Sequence, residues 1–212
     1  MRVAVLKFPG TNGDYDVVRA LELAGIPGEV VWYRDYRPGV YDAVVLAGGF
    51  SYGDRLRAGA VAAASEAVQR LREDVDNGVP VLGICNGFQI LTEAGILPGA
   101  LAPNDPPGFV SKWIPVKVVD RDTPFTFMYE EGEVVYMPVA HAEGRYVPSG
   151  PYRAVFKYVE NVNGSFDNVA GVARGPVLGL MPHPERAVDP HVSRRGTGGL
   201  KLWLSLKKWL RG

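Results

Sequence analysis

Short apolar runs alternate with helical patterns through the first half of the chain, and that alternation leaves few architectures open. Val3-Ala4-Val5-Leu6, Glu29-Val30-Val31-Trp32 and Ala43-Val44-Val45-Leu46 read as buried strands closed by Gly, Pro or Asp. Between them, Tyr15 to Ala24 spaces its apolar residues for a helix, with Asp14 placed to cap it and Gly25 to end it. Ala60 to Asp76 reads as a second helix stopped by Asn77-Gly78, and Asn86 to Ala94 as a third stopped by Gly95. Strands separated by crossover helices predict an α/β fold with a mostly parallel central sheet flanked by helices. Prolines and glycines crowd Pro98 to Pro115, which predicts a long loop. Beyond it, Ile114 to Val119, Val134 to Met137, Arg153 to Tyr158 and Ala170 to Ala173 predict antiparallel strands in the second half. Leu200 to Leu210 predicts a terminal amphipathic helix docking its apolar side on the sheet.

At 212 residues the chain suits a single domain, residues 1–212, able to bury a core of its own. Its 23 Lys and Arg balance 23 Asp and Glu, so no footprint for nucleic acid or anionic lipid is visible. No apolar run approaches a membrane span, and Val3 to Phe8 is too short for a signal peptide. The lone cysteine makes no internal disulfide, which points to a reducing, cytoplasmic setting.

That cysteine, Cys85, lies at the centre of Gly83-Ile84-Cys85-Asn86-Gly87, after the apolar run Val79-Pro80-Val81-Leu82 and before a helical stretch. Strand, glycine-flanked nucleophile and helix describe a nucleophile elbow: the thiol is pushed out at the carboxyl end of a strand, where a helix N-terminus favours the thiolate. Open α/β sheets bind their ligands at those strand ends. A base is supplied by His183, in Met181-Pro182-His183-Pro184-Glu185, directly after the apolar run Val177 to Leu180. The flanking prolines forbid helix and hold His183 extended, so that Glu185 projects to the same side and steadies the imidazole. This is the nucleophile, base and orienter arrangement of a triad. His141 is a competing base, and His191 reads as a loop residue. The oxyanion of an acyl-transfer intermediate needs N–H donors, for which the Asn86 backbone and the Gly48-Gly49 pair are candidates. One cysteine and three scattered histidines lack metal-ligand spacing. Arg194-Arg195-Gly196-Thr197-Gly198-Gly199 hints at phosphate contact but reads better as a basic loop.

Gly83-x-Cys85-x-Gly87-x-Gln89 together with His183-Pro184-Glu185 resembles the class I (triad) glutamine amidotransferases. Within that class, Phe8-Pro9-Gly10-Thr11-Asn12, Gly48-Gly49-Phe50-Ser51-Tyr52-Gly53-Asp54, Leu56-Arg57-Ala58-Gly59 and Met181 to Arg186 are similar to the glutaminase subunits of phosphoribosylformylglycinamidine synthase. The resemblance runs from the first strand to the last motif. It implies Cys85 as nucleophile, His183 as base and acid, Glu185 as orienter, and the Gly49 and Asn86 segments as oxyanion hole. It also implies Gln89, Phe109 and His141 as contacts of the substrate glutamine. Two departures stand out: Ala142 follows His141 where relatives have glycine, and Gly13 stands where many have cysteine. The expected partners are a large synthetase subunit and a small bridging subunit. No cofactor is expected on this chain; ATP and Mg are expected on the synthetase.

Overall fold

The computed structural model describes residues 1–193 and 195–212; Arg194, the first residue of the basic glycine-rich loop, lies outside them. The strands in chain order are β1 (Val3–Lys7), β2 (Gly28–Trp32), β3 (Ala43–Leu46), β4 (Val81–Ile84), β5 (Ala100–Ala102), β6 (Val110–Val118), β7 (Val134–His141), β8 (Arg145–Val147), β9 (Arg153–Tyr158), β10 (Val169–Arg174) and β11 (Val177–Leu180). The helices are α1 (Asp14–Ala24), α2 (Ala60–Ala63), α3 (Glu66–Asp76), α4 (Asn86–Glu93) and α5 (Leu200–Trp209). Among the described residues, nine strands form one mixed sheet in the order β2-β1-β3-β4-β11-β10-β9-β6-β7. The first five in that order are parallel and the rest antiparallel, as the change of pattern midway along the sequence predicts. A separate pair, β5 and β8, lies outside the sheet.

One pairing positions the chemistry. β11 leaves the antiparallel half to lie parallel beside β4, with Leu180 opposite Ile84. The residues that follow each strand therefore emerge at the same carboxyl edge, so Cys85 and His183 become neighbours despite their separation in sequence. β1, β3, β4 and β11 hold no exposed residue, which explains their near-continuous apolar sequence.

Several local expectations give way to tertiary context. Asp14 does not cap α1: its carboxylate is buried and pairs with Lys7 Nζ at 2.6 Å, and Gly13 takes the cap position without a side-chain bond. A buried charge needs a counter-charge, and Lys7 at the end of β1 supplies it. Gly25 does end α1, in the left-handed conformation, and Lys207 Nζ caps the Ala24 carbonyl at 2.7 Å. The helix expected over Ala60 to Asp76 is two, because Ser65 turns extended and starts α3 afresh. β2 is an edge strand with only Val31 buried, not a buried one. The expected loop from Pro98 to Pro115 holds β5 and the start of β6, leaving 103–109 as loop. α5 buries Leu202, Trp203 and Leu206 and packs against α1. Among the described residues, no helix is long and apolar enough to cross a membrane.

Candidate active site

Cys85 sits between β4 and α4 with φ 52° and ψ −105°. Left-handed backbone is costly for a non-glycine residue and persists only where the surroundings over-determine it. Here they do. The Cys85 N–H donates to the Leu180 carbonyl of β11 at 2.8 Å, and its carbonyl accepts from Gln89 as the first turn of α4. The flanking glycines serve close approach rather than positive φ. A Cβ on Gly83 would stand 2.8 Å from the Gly87 backbone, and one on Gly87 would overlap the Leu46 carbonyl oxygen. The thiol, 5% exposed, donates to the Ala140 carbonyl oxygen of β7 at 3.7 Å.

His183 is anchored by its N–H to the Pro138 carbonyl at 2.8 Å, and its Nδ1 bonds Glu185 Oε1 at 2.6 Å. Both side chains are buried. Glu185 reaches the imidazole by a route different from the expected extended one: Pro184 opens a 3₁₀ turn over Pro184–Arg186, with proline at the first helical positions where its missing N–H costs nothing. Burial lowers the His183 pKa, yet Glu185 and the neighbouring Cys85 outweigh it and push it up to about 10. The ring is therefore cationic near neutrality. Its Nε2 has no partner within the protein, leaving a buried donor free on the side away from Glu185.

A cavity of about 170 Å³ brings Cys85 and His183 together with Asn12, Gly49, Phe50, Phe109, Ala140 and Arg186. A larger one of about 450 Å³, beside Tyr33, Arg34 and Arg70, contains neither Cys85 nor a histidine. Gly49 adopts φ 148°, and a Cβ there would lie 2.7 Å from the Asn12 backbone nitrogen. Its N–H faces no acceptor among the described residues, and the Asn86 N–H, first in α4, has no intrahelical one. Phe109 stands 55% exposed at the mouth. Of the remaining candidates, the side chains of Asn86, Gln89 and His141 are turned to partners in the protein rather than to the cavity. The Asn86 side chain accepts from Ser51 N–H at 3.1 Å and donates to Gln89 Oε1 at 2.9 Å, while Gln89 Nε2 donates to the Glu143 carbonyl at 2.7 Å. His141 Nδ1 bonds Asn104 Oδ1 at 3.2 Å; burial and the nearby His183 lower its pKa to about 4, so it is neutral. Of the two histidines, it is His183 that shares the cavity with Cys85.

A buried nucleophile beside a charged, oriented imidazole suits acyl transfer, and the comparisons with known proteins agree. The family described as the CobB/CobQ-like glutamine amidotransferase domain matches residues 1–211. The chain belongs to this amidotransferase family. It is 78% identical over 211 residues to phosphoribosylformylglycinamidine synthase subunit PurQ of Pyrobaculum aerophilum, covering 100% of both chains. It is 52% identical to the subunit of the same name from Pyrococcus furiosus, covering 100% of this chain and 99% of that one. Among solved structures, a chain of PurLQS from Thermotoga maritima superposes with a TM-score of 0.95 at 43% identity, covering 99% of this chain and 98% of that one.

One residue of this amidotransferase site escaped the sequence reading as an individual. Asn104 is buried and holds four groups: its Nδ2 donates to the Gly108 and His141 carbonyls, and its Oδ1 accepts from Gly144 N–H and meets His141 Nδ1. It ties the 103–109 loop, and with it Phe109, to the end of β7. Its partners at 141 and 144 are 37 and 40 residues away, so no local pattern marks it. Among the described residues, no group of three or more His, Cys, Asp or Glu is placed to hold a metal ion.

Proposed function

We propose that the chain, working as one amidotransferase domain over residues 1–212, is the glutaminase subunit of a phosphoribosylformylglycinamidine synthase in purine biosynthesis. The observation that carries the chemistry is His183, bound to Glu185 on one side and open to the Cys85 cavity on the other. In this reading the Cys85 thiolate attacks the carboxamide carbon of glutamine. The negative oxygen that forms is met by the N–H groups of Gly49 and Asn86. His183 gives its Nε2 proton to the departing nitrogen, ammonia leaves, and a glutamyl thioester remains. His183, now neutral, takes a proton from water as it attacks the thioester, and glutamate is released with the thiol restored. Phe109 covers the glutamine at the cavity mouth. His141 and Gln89 shape its wall, the latter through Asn86 and the Glu143 carbonyl.

The ammonia then replaces the amide oxygen of formylglycinamide ribonucleotide, activated by ATP and Mg²⁺ on a separate synthetase subunit, with a small bridging subunit completing a cytoplasmic complex. The PurQ names of the relatives and the PurLQS assembly containing one of them support this partnership. A glutaminase assay of the chain alone and with the purified synthetase and bridging subunits tests the chemistry and the partnership together. A low rate alone that rises on assembly is expected; equal rates would overturn the coupling. Cys85→Ala should abolish glutamine-dependent amidination and leave ammonia-dependent amidination by the complex intact.

A further inference from the structure

The buried carboxylate of Glu185 has a second cation in reach besides His183. Arg186, the next residue, brings its Nε to 3.8 Å from Glu185 Oε1, the same oxygen that bonds His183 Nδ1 at 2.6 Å. Glu185 Oε2 is buried and has no partner within the protein. A guanidinium readily takes both oxygens of such a carboxylate. That capture would divert to arginine the charge that keeps His183 protonated.

Asp16 stands in the way. From the first turn of α1, 170 residues away in sequence, its Oδ2 accepts from Arg186 Nε at 3.2 Å. The Arg186 main chain has no choice of place, because its N–H donates to the His183 carbonyl at 3.3 Å within the turn that carries Glu185. Only the side chain can be steered, and Asp16 draws it toward solvent: Asp16 is half-exposed, whereas the Glu185 side chain is wholly buried. The cavity of about 370 Å³ that these residues line holds a second pair of the same kind, in which Arg19 donates to Asp189 Oδ2 at 2.6 Å. Each arginine lining this cavity thus has an aspartate of its own, and the buried glutamate is left to the imidazole. The other titratable groups facing His183 are Cys85 of the elbow and His141 at the end of β7.

We propose that Asp16 is a positioning residue that, by holding Arg186, reserves the Glu185 carboxylate for His183; its consequence for catalysis rests on the function proposed above. Asp16→Asn tests it, at a half-exposed position where the fold tolerates the change. His183 is one of three histidines, so its titration can be followed in the full chain by NMR of the imidazole nitrogens. The midpoint, about 10 in the parent, should fall by about one unit as the guanidinium moves onto Glu185. In an Arg186→Gln background, where no guanidinium is left to move, Asp16→Asn should shift it far less. A midpoint equal to the parent's in Asp16→Asn overturns the assignment. A shift of the same size in both backgrounds also overturns it, because Asp16 would then act only as a distant charge. In the assembled complex the alkaline limb of glutaminase kcat/KM should move down with the midpoint, since a neutral His183 has no proton for the departing nitrogen. A parent complex without glutaminase activity overturns the proposed function, and the NMR comparison still decides whether Asp16 holds Arg186 off Glu185.

Discussion

Glu185→Gln keeps the shape of the His183 partner and removes its charge. In the folded chain burial opposes the imidazolium, but Glu185 and Cys85 hold its pKa at about 10, against a free value of 6.5. A pKa raised by folding stabilises fully below the free value, and that stabilisation is lost as pH climbs through the folded one. Between about pH 6.5 and 10 the folded chain binds one proton that the unfolded chain does not, so stability falls by up to about 1.4 kcal/mol per pH unit. In the variant the glutamine oxygen still accepts from Nδ1, but the larger of the two counter-charges is gone, leaving only Cys85 against burial, which pushes the imidazole toward its neutral form. The expected loss near neutrality is about 3 kcal/mol, at the low end for stripping one member from a buried pair because the ring escapes by losing its proton. The gap between the two proteins should therefore narrow steadily toward alkaline pH. Urea unfolding of both, at neutrality and at about pH 9, measures it directly. Two stability–pH curves that run parallel over this range would refute the argument that Glu185 is what holds the proton on His183.

Three further outcomes follow from the packing. Gly48→Ala places a Cβ 2.9 Å from His183 Cε1, so the imidazole must yield; glutaminase kcat should fall about 100-fold while mass spectrometry still shows Cys85 alkylated by a small thiol reagent. Gly87→Ala sets a methyl against the Leu46 carbonyl and should cost about 2–3 kcal/mol in urea unfolding, since backbone on both sides prevents relief. Asn104→Ala strips partners from buried groups at 141 and 144 and frees the exposed Gly108 carbonyl; a loss of about 3 kcal/mol is expected, with KM for glutamine rising more than kcat falls as the 103–109 loop loosens.

Features determined locally were legible in the sequence. The elbow is one, because strand, nucleophile and helix are consecutive and the glycines that permit their close approach lie within two residues of Cys85. Gly25 and Gly95 ended their helices for the same local reason. The His183–Glu185 bond is legible in the sequence too, and His183 itself stays out of helix as its flanking prolines dictate, but Pro184 at the first position of a turn favours the 3₁₀ geometry that follows. Asp14 shows a local rule overruled from a distance, since the cap position was available and Lys7 claimed the carboxylate instead. β5 and β8 have three residues each, too few for any periodicity to register. Asn104 is invisible for a different reason, as three of the four groups it holds lie 37 to 40 residues away.

The placement of β11 also governs the order of assembly. It enters the middle of the sheet, between β4 and β10, and its Leu180 carbonyl holds the Cys85 N–H. During synthesis, everything through α4 emerges long before β11, so the nascent chain carries its thiol for some 90 residues with an open sheet edge beside it and no base in reach. Long-range pairing of this kind closes late, after the entropy of the intervening loop has been met. With the roles proposed for Cys85 and His183, the chain is therefore silent until β11 and the turn that carries His183 have been made. An interrupted or truncated product would expose a reactive edge but would not hydrolyse glutamine.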